Sequence, residues 1–242
     1  MDIWLNMTVS CLSFVSIYGS FPALSRSRRL SQTVDIDGDT TIHLRGPSAT
    51  SKPPPVRFTA GPHDVGNGGR KSPSSPREFD VYVPDLVFFG DSFTNSPDRS
   101  EIFQAASIAK LLEKIGIHRY SVVGTSYGGS VAYRMAEMWP DRVEKVVIAS
   151  SGVNLRRRDN SELLKRAKME KIEDFMLPST AAQLRTLIGL SVFRRTYMPD
   201  FFLKDFINKL YCENRKEKLE LLKGLTLGQD DNATISPLTQ EN

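Results

Sequence analysis

Tyr120-Ser-Val-Val-Gly-Thr-Ser-Tyr-Gly-Gly-Ser-Val-Ala-Tyr-Arg-Met135 decides the reading of this chain. A short β-branched run ends in Gly-x-Ser-x-Gly, and a helix-compatible run follows at once. Strand, sharp turn and helix around that pentapeptide are the layout of a nucleophile elbow. Ser126 would occupy the turn in strained backbone geometry, its Oγ held out of the sheet as the nucleophile. Such a turn brings backbone against backbone, so Gly124 and Gly128 have a steric reason to lack side chains. Gly129, Ser130 and Ala132 let the start of the helix lie close to the strands. The free N–H groups of a first helical turn favour negative charge, and the Tyr127 N–H is placed as one of two donors to a tetrahedral oxyanion. Two rival glycine motifs fail. No Gly-Lys-Ser/Thr follows, as a P-loop requires, and the spacing is not that of a dinucleotide-binding turn.

Composition narrows the classes. The 242 residues fit one domain, or one domain with a small insertion. Hydrophobic content of 40% and charged content of 25% suit a globular protein with an ordinary core. The net charge is +4, with basic residues scattered apart from clusters at Arg26–Arg29 and Arg156–Arg158. That pattern reads as solvated surface and gives no nucleic-acid face. Cys11 and Cys212 are far apart, which argues against a disulfide framework and for a reducing compartment. The three histidines and two cysteines lack metal-ligand spacing, and no cofactor is expected. Residues 3–24 are apolar in places but broken by Asn6, serines, Gly19 and Pro22. They make a poor spanning helix, which needs about 20 predominantly apolar residues, and the basic cluster follows the apolar part instead of preceding it. Residues 1–30 therefore read as a loosely ordered leader. The expected location is the cytoplasm or a membrane periphery, with organelle targeting by the leader left open.

Along the chain, Thr33–Asp37 and Thr41–Arg45 alternate around Asp37-Gly38-Asp39 and predict a β-hairpin. Val56–Ala60 is a weak third strand, and Gly61–Arg77 is loop or disorder by composition. Phe79–Val83 predicts a strand, followed by a turn at Gly90-Asp91-Ser92. Ser100–Ile115 has helical period with Ile102, Phe103, Ala106, Ala109, Leu111 and Leu112 toward one side, and Gly116 ends it. Tyr120–Gly124 is the strand before the elbow; the helix after Ser126 runs to about Trp139 and stops at Pro140. Lys145–Ala149 reads as a strand buried on both faces of a parallel sheet. The alternation implies an α/β fold: a mostly parallel sheet with flanking helices, spanning 31–153. From Asn154 to Gly228 the chain reads as a helical lid, with helices at Ser161–Lys171, Ser179–Leu190 and Asp200–Leu222. Ser179 or Thr180 is a plausible N-cap. Residues 229–242 are a polar tail.

Several pieces together resemble a family: Val83-Pro-Asp-Leu-Val-Phe-Phe-Gly-Asp-Ser92, Pro97-Asp-Arg-Ser100, Val123-Gly-Thr-Ser-Tyr-Gly-Gly129 and Pro140-Asp-Arg-Val-Glu-Lys-Val-Val-Ile148. The chain is similar to α/β-hydrolase-fold serine hydrolases, most of all to plant proteins related to monoacylglycerol lipases and more distantly to epoxide hydrolases. The resemblance implies Ser126 as nucleophile, the Tyr127 N–H as oxyanion donor and a small hydrophobic acyl ester or lipid as substrate, with peripheral membrane contact allowed. Serine at 126 argues against epoxide hydrolysis, which in this fold uses aspartate there. Two departures stand out. The family's His-Gly pair after the third strand is replaced by Phe58-Thr-Ala-Gly-Pro-His63, and a Gly/Pro/Ser stretch stands where an amphipathic helix is expected. The family's acid and histidine lie on loops after two further strands, which here would begin beyond about residue 235. Both departures read as an incomplete or frame-shifted chain lacking the last strands, the triad acid and the triad base.

The chain's own histidines are the remaining bases. His118 precedes the elbow strand by two residues and so lies roughly 16–20 Å from Ser126 at the opposite end of the sheet. A general base must come within about 3 Å, so it is excluded and reads as surface. His43 reads the same way, within an early strand. His63 is the fallback base, since it follows the third strand at the catalytic end. Asp85 and Asp91 sit at that same end, with Asp85 expected to hydrogen-bond loop backbone and not to orient a histidine. Without a base a serine hydroxyl stays protonated and weakly nucleophilic. The expectation is an ester or lipid hydrolase impaired in catalysis; the alternative is a non-catalytic ligand-binding or regulatory protein on the same scaffold. Loss of the neighbouring strand would leave Lys145–Ala149 as an exposed edge able to pair with another copy.

Overall fold

The structure is a computed structural model that describes residues 29–47, 55–59, 81–149, 151–191, 198–228 and 235–239, with residues 29–30 and 55–59 as backbone only. His63, Cys11, residues 1–28 and the Gly61–Arg77 stretch lie outside the described residues.

The first hairpin forms as the sequence predicts. Strand β1 (Arg29–Asp35) pairs antiparallel with β2 (Thr40–Pro47). Aspartates make its turn: the Asp35 carboxylate accepts from the Asp37 and Gly38 N–H groups at 3.1 and 2.7 Å, and Asp37 accepts from Thr40 N–H at 2.9 Å. Gly38 takes a φ of +87°, which a side chain would strain. β2 then receives β4 (Val83–Pro84) and β5 (Phe93–Thr94) on its other side, both antiparallel. Strand pairing at Phe79–Val83 is thus confined, among the described residues, to a bridge at Tyr82 and the short β4. Pro84 lacks the N–H needed to continue a ladder. β5 was not expected. Two residues carry too little pattern to read, and it is fixed by the pairing of Thr94 with Thr40, whose hydroxyls lie 2.8 Å apart.

The parallel half is β3 (Pro55–Thr59), β6 (Tyr120–Thr125) and β7 (Val143–Ala149), in that spatial order. β3 runs beside β4 and so joins the two halves. Helices α1 (Glu101–Lys114) and α2 (Tyr127–Met138) pack against each other, and α2 lies on β6 and β7. The main core gathers Ile42 and Leu44 of β2, Ile108, Leu111 and Leu112 of α1, Tyr120 and Val122 of β6, and Val131 and Met135 of α2.

Helix α1 begins where its signals place it. The Ser100 hydroxyl accepts from Phe103 N–H at 3.1 Å, and Gly116 ends the helix at φ +77°. Its buried face is rotated from the expected one. Glu101, Gln104, Ala105, Ile108, Leu111 and Leu112 are inside while Ile102 is exposed. The rotation buries two polar residues that earn partners. The Gln104 amide exchanges hydrogen bonds with the backbone of Val87, at 2.9 Å from Val87 N–H and 3.0 Å to Val87 C=O. Strand β7 is not buried on both faces as its apolar run suggests, and matches the alternative expectation of an exposed edge. It is an edge among the described residues, with Val147 52% exposed, because α2 covers one face and no described strand lies beyond it.

The elements described between Arg157 and Lys223 are all helices: α3 (Arg157–Ala167), α4 (Ile172–Met176), α5 (Ala181–Ser191), α6 (Asp200–Ile207) running into a π-helical turn at Asn208–Cys212, and α7 (Arg215–Lys223). The first helix starts earlier than Ser161 because Asp159 caps it, its carboxylate accepting from Arg156 N–H at 2.9 Å. Lys168, at φ +54°, ends it, so Lys171 belongs to the next helix start. Thr180 does cap α5, accepting from Gln183 N–H at 3.2 Å. The continuous helix expected over Asp200–Leu222 is broken at Asn214, which takes the left-handed conformation at φ +48°. The polar tail also makes a contact: Ser236 C=O accepts from the Tyr133 hydroxyl at 3.1 Å, and Leu238 packs on the main core.

Candidate active site

Ser126 sits between β6 and α2 at φ +56°, ψ −126°, a region that side-chain-bearing residues seldom occupy. The sequence forces this. Thr125 is still in register with Ala149 of β7, Ser126 N–H still donates to Ala149 C=O at 3.2 Å, and Tyr127 is already helical. One residue makes the whole reversal. Gly129 N–H closes the turn on Ser126 C=O at 2.9 Å. The glycines leave room for it. A Cβ on Gly124 would fall on the backbone of Gly128 and Gly129, and one on Gly129 would meet the Ser151 side chain. Gly128 supplies the carbonyl that stands against Gly124. Ser126 is half-buried at the carboxyl end of the parallel strands.

Tyr127 opens α2, so its N–H is among the four that a helix start leaves without an intrahelical partner. Its ring lies 6.2 Å from that of Phe89 and reaches into the Val87, Phe88 and Leu221 cluster. The hydroxyl is buried with no hydrogen-bond partner among the described residues. Burial, with the Glu101 and Asp98 carboxylates nearby, pushes that phenol well above the usual range. The phenol therefore keeps its proton at neutral pH and is no base. Attack by Ser126 Oγ on an acyl carbon would place the new oxyanion beside a helix start, where it is favoured.

The sequence profile described as alpha/beta hydrolase fold matches residues 70–195, just over half of the chain. The chain belongs to the α/β-hydrolase fold family. Solved structures agree on the fold. A candidate lipase, lip1, from Acinetobacter baumannii AYE superimposes with a TM-score of 0.62 at 19% identity, covering 89% of this chain and 69% of that one. The 2-hydroxy-6-oxo-6-phenylhexa-2,4-dienoate hydrolase of Rhodococcus sp. strain RHA1 gives 0.58 at 19% identity, over 83% and 73%. A membrane phospholipase A, a bacterial virulence factor, gives 0.53 at 18% identity, over 87% and 66%. Among curated proteins, uncharacterized proteins of Mycobacterium tuberculosis and Mycobacterium bovis are 34% identical over 76 residues, which is 31% of this chain and 22% of theirs. The match thus spans about a fifth of those relatives' length.

Within this α/β-hydrolase, the described histidines stay away from the elbow. His118 is exposed before β6, at the far end of that strand. His43 is three strand spacings from β6, roughly 14 Å across the sheet. It is not the surface residue that the sequence suggests. It is 5% exposed, with Nδ1 2.7 Å from Asp85 Oδ2 and Nε2 2.6 Å from Ser31 Oγ. Where the sequence suggests a side-chain bond to loop backbone, the Asp85 carboxylate orients a histidine, while the Asp85 main-chain N–H donates to His43 C=O of β2 at 2.9 Å. Strand register brings the pair together: Leu44 faces Pro84, so His43 and Asp85 are directly opposite. Nothing local to either residue in the sequence signals the pair, because only the β2/β4 register brings them together. Asp91 is exposed, and among the described residues no group of three or more His, Cys, Asp or Glu is placed to hold a metal.

Proposed function

We propose that this chain acts on carboxylic esters or lipids, with Ser126 as nucleophile and the Tyr127 N–H as one oxyanion donor. The observation that carries the reading is Ser126 itself: a non-glycine residue held at φ +56° between a parallel strand and a helix. Backbone strain of this kind persists where the surroundings over-determine it, and it exposes a side chain that a relaxed turn would not. Helices α3 to α7 serve as a lid over the carboxyl end of the sheet. A monoacylglycerol or similar neutral ester, as in the plant lipase-like proteins that the motifs resemble, fits a lid and a half-buried serine. The exposed pair Phe201 and Phe202 on α6, 74% and 48% accessible, suits contact with a membrane periphery. No described helix is long and apolar enough to cross a membrane.

Catalysis by the described part of the chain is weak in this reading. Neither His43 nor His118 reaches Ser126, and His63 lies outside the described residues. A bound ester would be held and at best acylate Ser126 slowly. That feature also supports the second reading, a ligand-binding protein on a hydrolase scaffold. One experiment separates them. The purified chain is treated with a fluorophosphonate probe and the labelled peptide is mapped, alongside hydrolysis of p-nitrophenyl esters of increasing chain length. Label on Ser126, lost in Ser126→Ala, supports the serine hydrolase. Folded protein that binds a long-chain ester without label on Ser126 supports the ligand-binding reading.

A further inference from the structure

The first three strands of the antiparallel half set a serine, a histidine and an aspartate in a row. Ser31 is on β1, His43 on β2, and Asp85 directly follows β4. Their order across the sheet is β1, β2, β4, so the three residues are neighbours in that order. Thr33 is the register partner of His43, and Ser31, two residues away on the same face, is its diagonal neighbour. Asp85 Oδ2 is 2.7 Å from His43 Nδ1, and His43 Nε2 is 2.6 Å from Ser31 Oγ. His43 and Asp85 are buried, at 5% and 4% exposure, while Ser31 is exposed.

The protonation pattern follows from the partners. An ionised carboxylate only accepts, so the Nδ1 proton of His43 points to Asp85 and the Nε2 lone pair faces the Ser31 hydroxyl. The imidazole is locked in place as well. His43 N–H donates to Ser92 Oγ at 3.0 Å, Ser92 Oγ donates to Asp85 C=O at 2.8 Å, and Asp85 N–H donates to His43 C=O. Gly90, at φ +53°, keeps a Cβ out of the space that the Asp85 carboxylate fills. A hydroxyl against an oriented imidazole, backed by a carboxylate, is the arrangement that activates serine on unrelated folds.

We propose that Ser31 is a second activated hydroxyl, independent of Ser126, that accepts acyl groups from small activated esters. Ser31 Oγ forms the bond to the acyl carbon while its proton passes to His43 Nε2. The bond to the ester's alcohol breaks, and the alcohol leaves with that proton. Asp85 is the positioning residue. β1 is the outer strand of its half among the described residues, so an ester approaches Ser31 from the open side. The expected outcome is one acyl group per chain, held on Ser31.

The test uses full-length Ser126→Ala protein with p-nitrophenyl acetate, read by intact mass and peptide mapping. One added acetyl group on the peptide containing Ser31 is expected, absent from Ser126→Ala/Ser31→Ala and from protein labelled in urea. Ser31 is exposed, so its replacement should not disturb folding. Asp85→Asn should slow the labelling by about 100-fold, the lower end of what general-base assistance contributes. If Asp85→Asn fails to fold, the comparison of folded with urea-treated Ser126→Ala still decides. An unmodified Ser31 peptide in folded protein, or equal labelling when folded and unfolded, overturns the proposal. Because Ser126 is already absent, failure here leaves the proposed role of Ser126 untouched.

Discussion

Ser126 holds strain that a glycine would not feel. Its φ and ψ lie where glycine is at ease, and a side-chain-bearing residue there costs about 1–3 kcal/mol. Glycine also loses about 0.5–1 kcal/mol through its freer unfolded chain. Ser126→Gly should therefore be more stable than Ser126→Ala by about 1 kcal/mol, read as a higher urea midpoint at equal slope; an equal or lower midpoint would remove the strain argument for the elbow. Its neighbour gives a second reading. The buried Tyr127 hydroxyl has no described partner, and an unmet buried donor costs about 1–3 kcal/mol. Tyr127→Phe should then leave stability unchanged or raise it, whereas a clear loss would reveal a partner for that hydroxyl. Gly124→Ala should be the costly one, by at least about 2 kcal/mol, because the new methyl meets backbone that cannot step aside. This much of the site was legible in the sequence, since strand, Gly-x-Ser-x-Gly and helix specify one local geometry. His43 and Asp85 were not, because 42 residues separate them and only strand register brings them together.

Helices α1, α2 and α7 meet at a polar knot that no single helix's period discloses. The fully buried Glu101 opens α1. It accepts from Arg134 Nε of α2 at 3.1 Å and from Thr226 N–H, just beyond α7, at 2.9 Å. Arg134 also reaches Glu137 at 2.6 Å. That is why α1 turns Glu101 inward and leaves Ile102 outside, a choice that hydrophobic period alone gets wrong: a charged residue can be buried when its partners are built in. The break at Asn214 escaped for a related reason, since its conformation is fixed by distant contacts such as its side-chain amide donating to Phe88 C=O at 3.3 Å. Glu101→Gln keeps the shape but removes the charge facing Arg134, and should cost about 2 kcal/mol in urea unfolding. The knot also predicts a pH effect. Partial burial raises the Glu137 carboxyl, but the hydrogen bond and charge of Arg134 outweigh it and hold the group below the 4.5 of an ordinary glutamate. A depressed carboxyl stabilises the fold above the unfolded value, and that contribution is lost as pH falls through the folded one. Below pH 4.5 the wild type should therefore lose stability more steeply than Glu137→Gln; parallel curves would show that the pair contributes nothing.

At the scale of the whole molecule, the apolar residues described fall into one large core and smaller clusters. Among its described residues the helical segment has clusters around Leu163 and Phe175 and around Leu184 and Leu203. It joins the sheet through α7: Leu221 packs on Val87 and Phe88, Glu220 pairs with Arg99 at 3.0 Å, and Lys218 lies 5.2 Å from the Phe89 ring. Among the described residues the outer strands of the sheet are β1 and β7. Glu144 and Lys145 are exposed at the start of β7, where charge discourages pairing, but Val146 to Ala149 carry no charge and Val147 is half-exposed. Such an edge favours strand-to-strand contact with a second copy. Covering the exposed half of Val147 on each of two chains contributes about 2 kcal/mol, or roughly 30-fold in the association constant. Analytical ultracentrifugation of the purified chain should thus show concentration-dependent self-association that Val147→Lys weakens by about that factor. Ser126→Ala removes only a hydroxyl and keeps the main-chain bond from residue 126 to Ala149 C=O, so it should leave the association unchanged. A wild type that stays monomeric over the same concentrations would mean that the uncharged end of β7 is covered in solution by residues of the same chain.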